Sequence, residues 1–176
     1  MGIPRNAAAY ALPFACLFCG QCAKDPTDAN RHCNDLVAEG PVFDYVYVSD
    51  PVPAATGSTI EDGIYYENQA EVFDPTHAGG PSGVQRSLTN VISGQSWQVA
   101  YRITDSSGTR TGTETYRISP APASAGLGQL VMTRICPADQ VATIPFGYSF
   151  SGSGPGATLQ LILPGPPTTV FTSTRQ

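Results

Sequence analysis

The stretch SWQVAYRIT (96–104) constrains the fold more than any other. Trp97, Val99, Tyr101 and Ile103 alternate with Ser96, Gln98, Arg102 and Thr104, interrupted only by Ala100. Side chains on a strand point to opposite faces with period two. A helix would scatter these four residues around its circumference, whereas a strand gathers them on one face. The polar partners assign that face to the interior. The next residues, DSSG (105–108), carry hairpin-turn chemistry, and TRTGTETYRIS (109–119) runs back with Tyr116 and Ile118 on one face.

The same pattern recurs along the chain. VFDYVYV (42–48), IYYENQAEVF (64–73), VQRSLTNVI (84–92), QLVMTRIC (129–136), VATIPFGYSF (141–150), ATLQLIL (157–163) and TTVFTST (168–174) all read as strands. Pro- and Gly-rich turns such as DPVPAATGS, DPTHAGGPSG and SGSGPG separate them, and no segment has helical periodicity. In IYYENQAEVF the alternation places Ile64, Tyr66, Ala70 and Val72 in the core, with Tyr65, Glu67, Gln69 and Glu71 in solvent. Eight or nine short strands joined mostly by short connections predict an antiparallel up-and-down β-barrel of about eight strands, with a β-sandwich as the alternative. Closure removes exposed strand edges.

The N-terminus has a different character. Met1 to Arg5 is a short positive start, Ala7 to Gly20 is almost wholly apolar, and KDPTDANRH then turns polar. That layout predicts a signal peptide or lipoprotein leader over residues 1–23, a flexible tether over 24–40 and the barrel domain over 41–176. Cys16, Cys19 and Cys22 fall within the leader. An iron–sulfur site would need a fourth thiolate, and a zinc site a second ligand pair. These cysteines therefore read as apolar leader residues, with Cys16 or Cys22 as the lipidation candidate. Loss of the leader leaves Cys33 and Cys136, either as two thiols or, most simply in an oxidising compartment, as a disulfide. The expected address is extracytoplasmic: secreted, or an outer-membrane-associated lipoprotein touching the membrane only through its leader or anchor.

Charge and motifs narrow the function classes. The net charge is -5, the only lysine is Lys24, and the arginines are scattered singly, which argues against a nucleic-acid partner. No G-x-S-x-G elbow or glycine loop opening a helix is present, and no cofactor is implied. His77 beside Asp74 gives two ligands, not a metal site, and His32 falls in the tether. Glu67 and Glu71 read as solvated charges, and only Glu114 shares an inward face with Tyr116. The aromatic set Tyr66, Trp97, Tyr101, Tyr116, Tyr148 and Phe150 is expected to line the interior.

Six segments, HCNDLVAEGP, ATGSTIEDGIYY, GPSGVQRSL, TRICPAD, YSFSGSGPGATLQLILP and TVFTSTRQ, together resemble uncharacterised lipocalin-like secreted lipoproteins of myxobacteria. The resemblance covers roughly residues 33 to 176 and implies an exported β-barrel with no assigned activity. The chain departs from the pattern in its lipobox: Pro13 stands at minus three from Cys16. It also lacks the G-x-W of true lipocalins, of which Asp62-Gly63-Ile64-Tyr65 is a weak echo.

Three readings follow from the sequence. The first is a barrel that binds a small apolar molecule among those six aromatic residues. The second is a surface structural or adhesion module whose barrel is filled by its own side chains. The third is a small barrel isomerase or cyclase, although the chain is not expected to be an enzyme. An eight-stranded barrel has room for its own side chains or one small ligand, so the interior decides between the first two.

Overall fold

The computed structural model describes residues 33–77, 79–120, 128–138 and 142–176. The expected leader, Cys16, Cys19 and Cys22, His32 and the expected tether up to residue 32 lie outside the described residues.

Among the described residues, nine strands form one closed sheet: β1 (Phe43–Val48), β2 (Gly63–Phe73), β3 (Gly80–Ser93), β4 (Ser96–Asp105), β5 (Gly108–Pro120), β6 (Gln129–Cys136), β7 (Thr143–Ser151), β8 (Thr158–Leu163) and β9 (Thr168–Arg175). From β2 to β9 each strand pairs antiparallel with the next, and β9 returns to pair with β2. This is the expected up-and-down barrel with one correction. β1 runs parallel to β2 and antiparallel to β3, so the sheet is mixed rather than purely antiparallel. β1 enters where β2 and β3 splay apart. β2 pairs with β3 from Gly63 to Glu67 and with β1 from Tyr45↔Ala70 onward.

The partner exchange has a local cause. Opposite β9, the register steps from Glu67↔Ser173 to Gln69↔Thr172, leaving Asn68 as an extra residue. Such a bulge inverts the parity of everything on one side of it. Ala70 and Val72 face the core as expected, but so do Tyr65 and Glu67. Tyr66 and Ile64, expected inside, lie on the outer face. Ile64 is 46 % exposed, and the Tyr66 hydroxyl contacts Glu39 Oε2 at 3.3 Å.

Strand β4 follows its alternation without interruption. Leu88↔Tyr101↔Gly112, Ile92↔Trp97↔Tyr116 and Asn90↔Val99↔Glu114 form inward rungs across β3, β4 and β5. Gly112 leaves room for its neighbour: a methyl there would sit 2.5 Å from the Tyr101 hydroxyl. One continuous apolar cluster runs through the barrel from Tyr65 and Trp97 to Phe146, Leu161 and Phe171.

Two segments wrap the outside. Residues 33–40, expected as the end of a flexible tether, lie instead across β5, β4 and β3. Cys33 N donates to Thr113 Oγ1 (2.8 Å), Asn34 Nδ2 to Glu114 O (2.8 Å), Glu39 N to Thr89 Oγ1 (2.8 Å), and Ser87 Oγ donates to Gly40 O (2.6 Å). These outward hydroxyls are buried because the strap covers them. Cys33 and Cys136 are joined in a disulfide with Cα atoms 5.5 Å apart, the ordinary span for such a bond. On the other side, Ala55 joins Val48, Phe73, Ile162 and Val170 in an outer apolar cluster. Gly57 N then donates to Tyr148 O (2.8 Å) and Phe150 N to Gly57 O (3.0 Å). Gly57 has φ +76°, a conformation that favours glycine. The segment returns to β2 across the barrel end, where Ile60 packs on the interior cluster and Glu61 pairs with Arg175.

Candidate functional site

The interior contains charge as well as aromatic rings. β2 supplies Glu67, β3 supplies Arg86 and Asn90, β5 supplies Glu114 and Tyr116, and β6 supplies Arg134; all are buried. Glu67 Oε1 meets Arg86 Nε at 3.4 Å, and Glu114 Oε1 meets Arg134 Nη2 at 3.4 Å. Arg86 Nη1 donates to the Tyr45 hydroxyl at 2.6 Å, and its guanidinium lies 5.2 Å over the Phe171 ring. The Tyr116 hydroxyl donates to Glu114 Oε2 and accepts from Arg134 Nη2 at 3.3 Å. Two opposite-charge pairs thus cancel within the barrel, and Tyr45 and Tyr116 supply further hydrogen bonds. Isolated charges in such a place would be prohibitively costly.

Burial dominates the electrostatics. Desolvation pushes the Glu67 carboxyl up to about 7, against the opposing pull of Arg86. Desolvation also raises Glu114, opposed by the Tyr116 hydrogen bond and by Arg134 and Arg86. Tyr116 is raised by desolvation first and by Glu114 second.

Of the aromatic residues expected inside, Trp97 (1 % exposed), Tyr116 (0 %) and Phe150 (8 %) are buried in the interior. Tyr101 and Tyr148 are partly buried and pack against the same cluster. Tyr66 is the exception described above. Trp97 Nε1 donates to Asn90 Oδ1 at 2.8 Å, so its polar edge is satisfied within the core. Tyr65, Trp97, Tyr116, Phe146, Leu88 and Leu159 are among the most deeply buried side chains, each no more than 1 % exposed. Alternation alone did identify Glu114 beside Tyr116. It missed Glu67, whose position depends on the bulge. Arg86 and Arg134 were passed over as singly scattered cations, and their parity with Leu88 and Met132 was the available signal.

Two further features lie outside the core. At the end where β1 and β2 finish, His77 stacks on Tyr47 with ring centres 4.2 Å apart, and its Nδ1 lies 2.8 Å from Asp74 Oδ2. Among the described residues, no three His, Cys, Asp or Glu side chains are grouped to hold a metal ion. On the outer face of β3, β4 and β5 lies a cleft of about 190 Å³. Val42 forms one wall; Gln85, Arg86 and Ser87 of β3, Arg102 and Thr104 of β4, and Thr109 of β5 form the rest.

No protein-family model, curated protein or solved structure matches this chain. The interior holds acid, base and aromatic groups, but they are engaged with one another. The outer cleft is open and polar.

Proposed function

We propose that this chain is an exported structural or interaction module whose barrel is filled by its own side chains, rather than a carrier of an apolar ligand. The observation that carries this reading is the occupancy of the interior. Trp97, Tyr116 and Tyr65 are almost wholly buried, and the buried Glu67–Arg86 and Glu114–Arg134 pairs share the interior with them. A ligand pocket needs at least about 300 Å³ and mostly apolar walls. Buried paired charges do not make such walls. The Glu114 carboxylate is already engaged by Tyr116 and Arg134, which weighs against the isomerase or cyclase reading.

Export accords with the Cys33–Cys136 bridge, since such bonds persist in oxidising compartments. It also accords with the apolar stretch ending before Lys24 and with the resemblance to secreted lipoproteins. Lipidation at Cys16 or Cys22 would tether the barrel to a membrane surface. N-terminal analysis from the native host tests this, and an intact Met1 in the cytoplasm would overturn it.

The filled-barrel reading has a direct assay, because Trp97 is the only tryptophan in the chain. Acrylamide should quench its fluorescence as weakly as that of a buried indole, and titration with N-phenylnaphthylamine should show no saturable binding. Stoichiometric uptake of that apolar dye, lost in Trp97→Ala, would restore the carrier reading.

A further inference from the structure

We infer that the outer cleft on β3–β5 is a binding site for a small hydroxylated carboxylic acid, such as one uronic-acid unit of a surface glycan. The cation comes first. Arg86, Arg110, Arg134 and Arg175 each meet a carboxylate within the protein. Arg102 makes no ion pair with another described residue and points outward into the cleft, exposed. An arginine fork matches the two oxygens of a carboxylate, and no carboxylate among the described residues lines the cleft beside it.

The surroundings are the second observation. Register places Ser87 beside Arg102, and Gln85, Thr104 and Thr109 in the neighbouring row, all on the outer face. No carboxylate lines the cleft. The Thr104 and Thr109 hydroxyls hydrogen-bond each other at 2.9 Å, which leaves one O–H donor and further lone pairs for a ligand. Gln85 adds an amide. This set suits the hydroxyls of a sugar ring, and the cleft volume of about 190 Å³ suits a single small unit.

The wall is also built in advance. Ser87 Oγ holds Gly40 O at 2.6 Å, which fixes the strap just before Val42. The floor is the last turnward part of β4, where Arg102 and Thr104 are paired on both sides. A site on paired strands loses little freedom when it is occupied. The nearest competing anion by register is Asp44, which pairs with Gln85 across β1 and β3 but does not line the cleft. Asp44 should therefore weaken an acidic ligand without preventing its binding.

The test is titration of the folded, disulfide-bonded protein, followed by backbone amide NMR shifts, with galacturonate, galactose, acetate and sulfate as separate ligands. Galacturonate is expected to shift amides of Gln85, Arg102 and Thr109 saturably. Galactose, which lacks the carboxylate, and acetate, which lacks the hydroxyls, should each bind at least tenfold more weakly. Arg102→Ala should weaken galacturonate at least tenfold, and Asp44→Asn should tighten it severalfold. The gain from Asp44→Asn is a result that mere loss of structure could not imitate. Equal binding of galacturonate and galactose, or unchanged binding in Arg102→Ala, would overturn the site. Sulfate binding as tightly as galacturonate would overturn the sugar-acid assignment. The inference does not depend on the filled interior: dye uptake inside the barrel would sink that reading and leave this one standing.

Discussion

Trp97 shows how a single side chain fixes both stability and meaning. Its ring packs against Ile92 and Tyr116 on the neighbouring strands, and its indole N–H is satisfied by Asn90. Trp97→Ala should therefore cost about 3–5 kcal/mol, the range for removing a fully packed aromatic ring. Denaturant unfolding of the disulfide-bonded protein measures this. Trp97→Phe should retain most of the packing but leave Asn90 Oδ1 without its donor, at a cost of about 1–3 kcal/mol. The direction of Trp97 was legible because four apolar residues and four polar ones share strict parities in β4. Glu67 was not legible. Its carboxylate lies in a run that alternates well in sequence, and nothing in ENQ announces that Asn68 will be the extra residue. A bulge is a property of two strands, so one strand's sequence cannot place it.

Among the elements, the strap at 33–40 shows where order came from contacts rather than periodicity. The strap has no apolar repeat, and its sequence reads as linker. It is held because Asn34, Glu39 and Gly40 meet hydroxyls and carbonyls on β3 to β5, and because Cys33 is bonded to the end of β6. Gly40 passes so close to β3 that an added methyl would overlap the Leu88 carbonyl. Gly40→Ala should lift the strap locally and cost about 1–3 kcal/mol, the usual range for a strained or unpacked site. Hydrogen exchange should locate the effect at Glu39 rather than in β8 or β9. Replacing both Cys33 and Cys136 by Ser releases a loop spanning a sequence separation of 103. The expected loss is about 2–5 kcal/mol by denaturant unfolding. The nine strands themselves needed no such contacts to be foreseen. Their boundaries follow from alternation and turn chemistry, although β3 starts at Gly80, inside the stretch DPTHAGGPSG that reads as turn.

For the molecule as a whole, the buried charge network makes stability depend on pH in an uncommon direction. Most paired carboxylates have lowered pKa values and lend stability that disappears in acid. Glu67 behaves oppositely: desolvation raises its carboxyl from 4.5 to about 7 in the folded barrel. Between those values the folded state keeps a proton that the unfolded chain has released. The folded state then binds more protons, so the free energy of unfolding falls as pH rises through that window and levels off above it. At about 1.4 kcal/mol per pKa unit, the change is on the order of 3 kcal/mol. Glu114 is raised as well and acts with the same sign. Asp74 and Asp105 are lowered, so their opposing contributions change only below the ordinary carboxylate range, outside this window. The protein should therefore be more stable toward denaturant at pH 5 than at pH 7.5. Glu67→Gln cannot titrate and should flatten the profile, leaving only the slope due to Glu114. The strap and disulfide are untouched by this exchange, so the comparison isolates the interior. A wild-type profile that rises from pH 5 to 7.5, or a Glu67→Gln profile as steep as the wild type, would show that this carboxylate does not retain its proton inside the barrel.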